Sequence, residues 1–196
     1  MEDLQPVSQP EIQKDEKIHW GRLVLDLLET VALAVLLFLG INAVSARVRV
    51  DGFSMRPTLE NGEFVLVNRL AYRLDEIQRG DIIVFHYPTD PSQELIKRVI
   101  GLPGDQVAVN RGKVSVNGQE FREPYIAAAP VYSGNWEVPD GYLFVLGDNR
   151  NDSSDSHSWG KLPVENVIGQ AVLIYWPPPM WSVIEHANAL TPQEQP

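Results

Sequence analysis

The apolar segment LVLDLLETVALAVLLFLGINAVSA, residues 23–46, constrains this chain more than any other feature of its sequence. Its last seventeen residues, 30–46, carry no charge. As a helix rising about 1.5 Å per residue they would span roughly 25 Å, at the short end for a membrane crossing. Residues 23–28 lengthen the helix if Asp26 and Glu29 lie at lipid headgroups or face a partner. The segment therefore predicts an uncleaved transmembrane signal-anchor helix.

Two other interpretations of residues 23–46 stay open. One is a helix buried in a protein core. The other is a cleaved secretory signal, because the segment ends in Val44-Ser45-Ala46, residues of the kind found before a cleavage site. Against cleavage, twenty-two mostly polar residues precede the segment, and Glu29 lies near its start. Basic residues flank the segment almost equally, so the positive-inside rule decides little about orientation.

From residue 47 onward the hydrophobic pattern alternates with period two, which is typical of strands. It predicts a mainly β fold, a compact antiparallel domain over residues 47–181, with a hairpin at Arg111-Gly112 and a short helix within 70–77. Residues 1–22 and 182–196 are polar and are taken as tails, the second one frayed. The strand candidates are RVRVDG, FVLVN, DIIVF, ELIKRVIG, QVAVN, KVSVNG, YLFVLG and IGQAVLIYW.

Composition excludes several classes of function. The 196-residue chain has a net charge of −10, which argues against nucleic acid as a partner, because such binding depends on neutralising phosphates. The sequence has no cysteine, which excludes disulfides, thiol catalysis and zinc–thiolate sites. No metal and no other cofactor is predicted.

The stretch DGFSMRPTLENGEF places Ser54 among bulky neighbours. A serine hydroxyl is a poor nucleophile at neutral pH unless a base activates it, and no histidine lies within thirty residues of this one. One possible base is His157, in the polar loop GDNRNDSSDSHSWG, which would form a Ser-His-Asp triad with an aspartate of that loop. The other histidines lie near the chain ends or directly after a strand candidate.

A second possible base is Lys97. Of the five lysines, it alone lies inside an apolar run, LIKRVI. On a strand, Leu95, Lys97 and Val99 share one face, and burial there lowers the pKa of a lysine by disfavouring its ammonium form. A lysine near neutrality can act as a general base, as in Ser-Lys sites. The alternative is a strand lysine whose stem reaches solvent.

Four motifs, in this order, resemble those of type I signal peptidases: SMRPTL, GDIIVF, IKRVIGLPGD and GDNRNDSSDSHSWG. The resemblance runs over residues 50–177, and the ending VIGQAVLIYWPP looks most like the cyanobacterial and plastid thylakoid branch. It implies a membrane-anchored Ser-Lys endopeptidase. One N-terminal transmembrane helix would precede a mainly β catalytic domain with the Ser-Lys fold of that family. The resemblance also implies that this domain lies on the trans side of the membrane, in the periplasm or the thylakoid lumen.

The resemblance also assigns roles to residues of this chain. Ser54 matches the nucleophile and Lys97 the general base. Ser153 matches a serine that hydrogen-bonds and orients the lysine amine. Asp155 matches an acidic residue that braces the same loop.

Two further matched positions, Arg98 and Asp148, imply a structural ion pair. The chain departs from the family pattern at two others. Some members have a serine at the position of Gly52, so the oxyanion hole here would rely on backbone N–H groups. Many members have Arg at the position of His157. We expect His157 to pair with Asp155 and, because histidine titrates in the physiological range, we expect activity to depend on pH more than in Arg-type members.

The implied substrates are exported preproteins whose signal peptides are still in the lipid bilayer, cut after small residues in an Ala-x-Ala pattern. Shallow apolar pockets would enforce this preference, and Gly52 would let the substrate backbone approach closely. The candidates for the pocket walls, which would otherwise be ordinary core, are Met55, Leu59, Leu95 and Ile96. We expect the protein to act as a monomer.

Some relatives carry a large second β domain between the segments that match Lys97 and Gly147. Only 49 residues separate these two positions here, which leaves room for a small extension around residues 120–139. After the last strand candidate, Trp176, Met180 and Trp181 could sit at the membrane interface as amphipathic side chains do, or could be core.

Two other classes of protein compete with this interpretation. One is a Ser-Lys self-cleaving regulator, which would carry a DNA-reading module where this chain has an apolar helix. The other is an inactive membrane-bound binding or scaffold homologue. Ser54, Lys97 and Ser153 are all present, so the sequence offers no lesion that would predict inactivity.

Overall fold

The computed structural model describes residues 20–186. Helix α1, Trp20–Val44, has 25 residues rich in Leu, Ala and Val, and none of them is buried. In the described part of the chain it is the helix that is long and apolar enough to cross a membrane. It begins before the segment expected to span and ends two residues earlier, because Ser45 and Ala46 already belong to a strand.

All strands in the described residues belong to the larger of two compact units, residues 41–196. Two short helices, α2 Ala71–Leu74 and α3 Ser156–Trp159, interrupt them. The strands are β1 Ser45–Arg49, β2 Phe64–Asn68, β3 Ile82–Tyr87, β4 Asp90–Gly101, β5 Gln106–Asn110, β6 Lys113–Val116, β7 Gln119–Glu120, β8 Gly134–Glu137, β9 Tyr142–Leu146, β10 Leu162–Pro163, β11 Val167–Trp176 and β12 Ser182–Val183.

The strands form two sheets, and every pairing is antiparallel. The larger sheet has the order β1-β2-β11-β3-β4-β9-β10, with β12 paired to β11. The smaller sheet has the order β7-β6-β5-β8. The prediction of a mainly antiparallel β fold after one apolar N-terminal helix is therefore confirmed.

Strand β3 is covered on both of its faces. Ile82 and Val84 belong to one buried cluster, and Ile83 and Phe85 belong to another. A strand buried on both faces reads as a continuous apolar run rather than an alternation, as the segment DIIVF does. Its neighbour β4 is buried from Ile96 to Gly101, so any ionisable side chain in that stretch lies in the protein interior.

The eight strand candidates each overlap an observed strand, and the hairpin at Arg111-Gly112 is confirmed. Both turn residues have positive φ, 50° and 77°, as a two-residue type I′ turn requires. The alternation missed β7, β8, β10 and β12, which have two to four residues each and are too short to show a period. The helix expected within residues 70–77 is limited to α2.

The segment around residues 120–139 does not form a unit of its own. It supplies β8, which pairs with β5 in the smaller sheet. The second core cluster lies under this sheet and includes Val107, Val114 and Phe144. The extension is thus part of a sheet that begins before it in the sequence.

The end of the described chain differs from the frayed tail predicted from Ser182 onward. Strand β12 pairs with β11, Ile184 is 4% exposed, and the backbone N–H of Ile82 donates to Nδ1 of His186 at 3.2 Å. One apolar residue in the core and one ring against β3 hold this segment, and polar composition alone did not reveal either contact. The N-terminal tail, apart from residues 20–22, and residues 187–196 lie outside the described residues.

Candidate active site

Ser54 lies in the loop that connects β1 to β2. Two buried side chains of this loop, Met55 and Leu59, belong to the core, and the Leu59 N–H donates to the Met55 carbonyl at 3.0 Å. At the start of the loop Gly52 has φ of 102°, a region that favours glycine, and its N–H donates to Oδ1 of Asn61 at 2.8 Å. The loop is therefore anchored on both sides of a half-buried serine.

Lys97 points into the interior from β4. Its side chain is nearly buried, and its Nζ lies 2.8 Å from Oγ of Ser54 and 3.0 Å from the carbonyl of Ile96. Burial lowers the pKa of Lys97 to about 8, against the opposing effect of the Asp155 and Asp148 carboxylates. A buried lysine held against a serine hydroxyl at hydrogen-bond distance has the geometry that a general base needs.

The structure does not assemble the alternative triad. Nδ1 of His157 lies 2.6 Å from Oδ1 of Asp155, whereas within the described residues the side-chain partner of Ser54 Oγ is Lys97. The pairing expected between His157 and Asp155 is present in this geometry. Nδ1 of His186 accepts from the Ile82 N–H of β3 at 3.2 Å.

The polar loop after β9 is attached directly to the serine loop. The Asn149 N–H donates to the Ser54 carbonyl at 3.0 Å, and its side-chain amide donates to the Phe53 carbonyl at 3.1 Å. Gly147 fits between the two loops so closely that a Cβ there would collide with the Ser54 carbonyl and with Oγ of Ser153. Glycine at this position therefore permits the close approach of the two loops.

Asp155 is fully buried and has two structural tasks. It is the N-cap of α3, where its carboxylate accepts the His157 N–H at 3.2 Å and forms a capping box with Ser158. Its second oxygen accepts the Gly147 N–H at 2.9 Å. The same carboxylate therefore starts a helix and fixes the glycine that lies against Ser54.

Ser153 lies next to this contact. Its Oγ is buried and makes no hydrogen bond within the described residues, so the hydrogen bond to Lys97 expected from the family is not formed here. The Oγ is one of the atoms that a Cβ on Gly147 would strike, which places it at the junction of the two loops. The structure thus brings Ser153 beside the serine loop without joining it to the amine.

Arg98 and Asp148 form a bidentate ion pair. The guanidinium Nε and Nη2 donate to the two carboxylate oxygens at 2.8 and 2.7 Å, and both side chains are buried. Arg98 also donates to the Gly80 carbonyl at 2.9 Å, and Thr58 Oγ1 donates to Asp148 at 2.5 Å. This pair links β4, the serine loop and the loop after β9 at one point.

Sequence reasoning missed several residues of this region. Glu123, in the extension, pairs with the buried Arg150 at 2.5 and 2.7 Å, and Tyr125 covers the guanidinium of Arg98 at 3.9 Å from the ring centre. Thr58 and Gly147 were also not singled out. No local pattern marks Glu123, since its partner follows twenty-seven residues later on another segment.

The four residues expected to form one pocket divide between two clusters. Met55, Leu59 and Ile96 lie in the cluster under the serine loop, and Leu95 packs against the cluster on the other face of β3. Gly52 is exposed at the entrance of the serine loop. In the described part of the chain, no three side chains of the metal-binding types His, Cys, Asp and Glu come together to hold an ion.

Most of the chain matches a known protein family. A family model described as "Signal peptidase, peptidase S26" matches residues 23–176. The chain belongs to this family of serine peptidases.

Its relatives indicate the branch. The chain is 45% identical over 163 residues to a probable signal peptidase I-2 of Synechocystis, covering 79% of this chain and 74% of that protein. It is 46% identical over 160 residues to a signal peptidase I of Leptolyngbya laminosa, covering 76% and 78%. It is 38% identical over 154 residues to a chloroplastic thylakoidal processing peptidase 1 of Arabidopsis thaliana, covering 72% and 45%. The resemblance to type I signal peptidases near the thylakoid branch is therefore confirmed.

Proposed function

We propose that this protein is a membrane-anchored endopeptidase that removes N-terminal signal peptides from exported preproteins through a Ser54–Lys97 dyad. The observation that carries the proposal is the 2.8 Å separation between Lys97 Nζ and Ser54 Oγ inside the fold of a signal peptidase family. The lowered pKa of Lys97 supports the same assignment, because a base must be unprotonated to act.

The reaction would proceed through an acyl-enzyme. The neutral amine of Lys97 takes the proton of the Ser54 hydroxyl while Oγ attacks the scissile carbonyl. The resulting ammonium then gives that proton to the leaving amine, which is the new N-terminus of the mature protein. A water molecule, deprotonated by the same lysine, attacks the ester and releases the signal peptide with a free carboxylate.

The developing oxyanion would be stabilised by backbone N–H groups, with that of Ser54 as first choice, because Gly52 supplies no side-chain donor. Gly52 is exposed, and nothing lies within 4 Å of the position that a Cβ would take there, so a substrate backbone could approach it closely. An extended substrate segment would lie along the end of β1 near Val50, in the manner of strand addition. Small residues before the cut would suit the tightly packed Met55 and Leu59.

The membrane would hold both enzyme and substrate. Helix α1 meets the length and composition of a spanning helix, and the catalytic domain would lie on the trans side, in the periplasm or thylakoid lumen. Trp176, Met180 and Trp181 are 52%, 44% and 68% exposed, which suits side chains that contact lipid headgroups.

The test uses the full-length protein in detergent or vesicles and a preprotein with an Ala-x-Ala site. Ser54→Ala and Lys97→Ala are expected to abolish cleavage, and His157→Ala to reduce it only in part, because His157 contacts Asp155 rather than Ser54. Cleavage by Lys97→Ala together with an inactive His157→Ala would instead establish the histidine triad. Full cleavage activity in the Ser54→Ala preparation would indicate that this protein is inactive and that a contaminating peptidase cuts the preprotein. Mass spectrometry of both products identifies the bond that is cut.

A further inference from the structure

We infer that Glu123 and Tyr125, on the extension before β8, are positioning residues for the reaction at Ser54. Together with Pro124 they are called the EPY brace here. The inference rests on the proposed function, in which Lys97 activates Ser54. Neither side chain reaches the reacting atoms, and both act through arginines that do contact the active-site loops.

The first contact of the brace is the ion pair between Glu123 and Arg150. Both guanidinium Nη atoms donate to the Glu123 carboxylate, at 2.7 and 2.5 Å, and the two side chains are 6% and 0% exposed. Fork geometry of this kind fixes orientation as well as charge. The extension therefore sets the direction of a side chain that belongs to the loop after β9.

Arg150 transmits this direction to the serine loop. Its Nε donates to the Gly147 carbonyl at 3.1 Å, and Gly147 is the residue that leaves no room for a Cβ beside the Ser54 carbonyl. Asn149, between them, donates its N–H to the same Ser54 carbonyl at 3.0 Å. A rotation of Arg150 would thus move the turn against which Ser54 is held.

Tyr125 provides the second contact of the brace. Its ring lies over the guanidinium of Arg98, 3.9 Å from the ring centre, and its hydroxyl donates to Glu123 at 2.9 Å. Arg98 follows Lys97 directly on β4. The ring thus packs on the strand that carries the amine, while the hydroxyl orients the carboxylate that holds Arg150.

The charges of this cluster balance. Two buried guanidinium groups, Arg98 and Arg150, face two carboxylates, Asp148 and Glu123, and the Tyr125 ring lies against both cations at 3.9 and 5.9 Å. Burial raises the pKa of the Tyr125 hydroxyl, so it keeps the proton that it donates. Removing the Glu123 charge leaves the buried Arg150 guanidinium without its carboxylate partner. Arg150 then loses the ion pair that fixes its orientation.

The test compares Glu123→Gln with Glu120→Gln in the full-length protein, measuring kcat and KM for preprotein cleavage at a temperature where both variants are folded. Glu120 lies three residues away on the same segment and pairs with Lys113 on the surface, so it is a matched control. We expect Glu123→Gln to lower kcat by roughly ten- to a hundredfold with KM within about threefold, as misplacement of a reacting group does. Glu120→Gln should behave as wild type.

A double variant, Glu123→Gln with Arg150→Gln, separates positioning from stability. Removing both partners relieves the unpaired charge, so the melting temperature should recover relative to Glu123→Gln, whereas kcat should stay low because Gly147 has still lost its Arg150 contact. Recovery of kcat in step with the melting temperature would overturn the inference, as would a wild-type kcat in Glu123→Gln. If Glu123→Gln does not fold, Tyr125→Leu replaces it, with the same expectation and the same overturning result.

Lys97→Ala in the same series keeps the two proposals apart. Cleavage by Lys97→Ala at the wild-type rate would refute the proposed function itself. An inactive Lys97→Ala together with a fully active Glu123→Gln would refute only the inference about the EPY brace.

Discussion

Nζ of Lys97 lies 2.8 Å from Oγ of Ser54, although forty-three residues separate them in the sequence. The lysine comes from a strand covered on both faces, and the serine from a loop anchored by Met55 and Leu59. The core therefore holds each of the two residues in place.

Cleavage should increase with pH through the pKa of Lys97, which burial lowers to about 8. Below that pH the amine is protonated and cannot accept the Ser54 proton. We expect the acidic limb of the kcat/KM profile to have a midpoint near 8, within about a unit. A kcat/KM that stays constant between about pH 6 and about pH 9 would contradict Lys97 as the base.

Lys97→Met should stabilise the fold while abolishing cleavage. The folded-state pKa of Lys97 lies below the unfolded value of 10.5, so the unfolded chain binds the extra proton and the free energy of unfolding rises with pH between about 8 and 10.5. Below about pH 8 the loss of stability caused by burying Lys97 is fully present. Replacing the lysine should therefore raise the free energy of unfolding at pH 7 by up to roughly 3 kcal/mol. Urea unfolding at pH 7 and pH 10.5 measures this gain, which should shrink at the higher pH. A variant less stable than wild type at pH 7 would refute the expectation.

Asp148→Asn should strongly destabilise the domain. It leaves the guanidinium of Arg98 buried without its carboxylate, which costs about 3–5 kcal/mol in comparable cases. The matched control is Lys113→Gln, because the Lys113–Glu120 pair is exposed and should contribute less than about 1 kcal/mol. Both values come from urea unfolding, and equal losses in the two variants would contradict the prediction.

Gly147→Ala should abolish cleavage and affect folding less than it affects cleavage. The added Cβ would strike the Ser54 carbonyl and Oγ of Ser153, so the two loops must separate, and a shift of about 1 Å can cost roughly a hundredfold in rate. Gly118→Ala is the control, since Gly118 has φ of 81° and nothing within 4 Å of a Cβ. The control should lose some melting temperature and keep its kcat. Normal cleavage by Gly147→Ala would show that the close approach is dispensable.

His157→Arg should move the acidic limb of the pH profile to lower pH. His157 contacts Asp155 at 2.6 Å, and the Asp155 charge is one of the two that oppose the lowering of the Lys97 pKa. An arginine at this position would carry a fixed positive charge beside that carboxylate and offset part of its effect on the amine. His157→Gln serves as the comparison without a charge. An unchanged profile in His157→Arg would end the idea that this position sets the pH dependence.

Much of the fold was predictable because it depends on local pattern. The alternation of β2, the apolar run of β3 and the turn at Arg111-Gly112 each follow from a few adjacent residues. The strands that pattern missed, such as β10 and β12, are two residues long and exist because neighbouring strands pair with them. Ile184 is the clearest case, since one buried side chain holds a segment that looks polar in sequence.

The candidate site divides in the same way. The apolar run around Lys97 made it one of two candidate bases, and the motif resemblance then favoured it over His157 and matched Arg98 with Asp148. Glu123 could not be found, because its partner Arg150 is reached only after the chain has formed the smaller sheet and returned. Leu95, expected beside Met55, Leu59 and Ile96, packs instead against the cluster on the other face of β3, and its part in a substrate pocket stays a prediction.

The double task of Asp155 has a consequence for how such a protein can change over generations. A substitution of Asp155 that gives α3 a different N-cap would also leave the Gly147 N–H without its acceptor. A substitution of Asp155 that suits a different turn at Gly147 would leave α3 without its cap. Neither position is free to drift alone, so viable replacements should appear as coordinated sets rather than single steps. Deep mutational libraries of this loop should therefore contain few tolerated singles at position 155 and recover diversity only in combination.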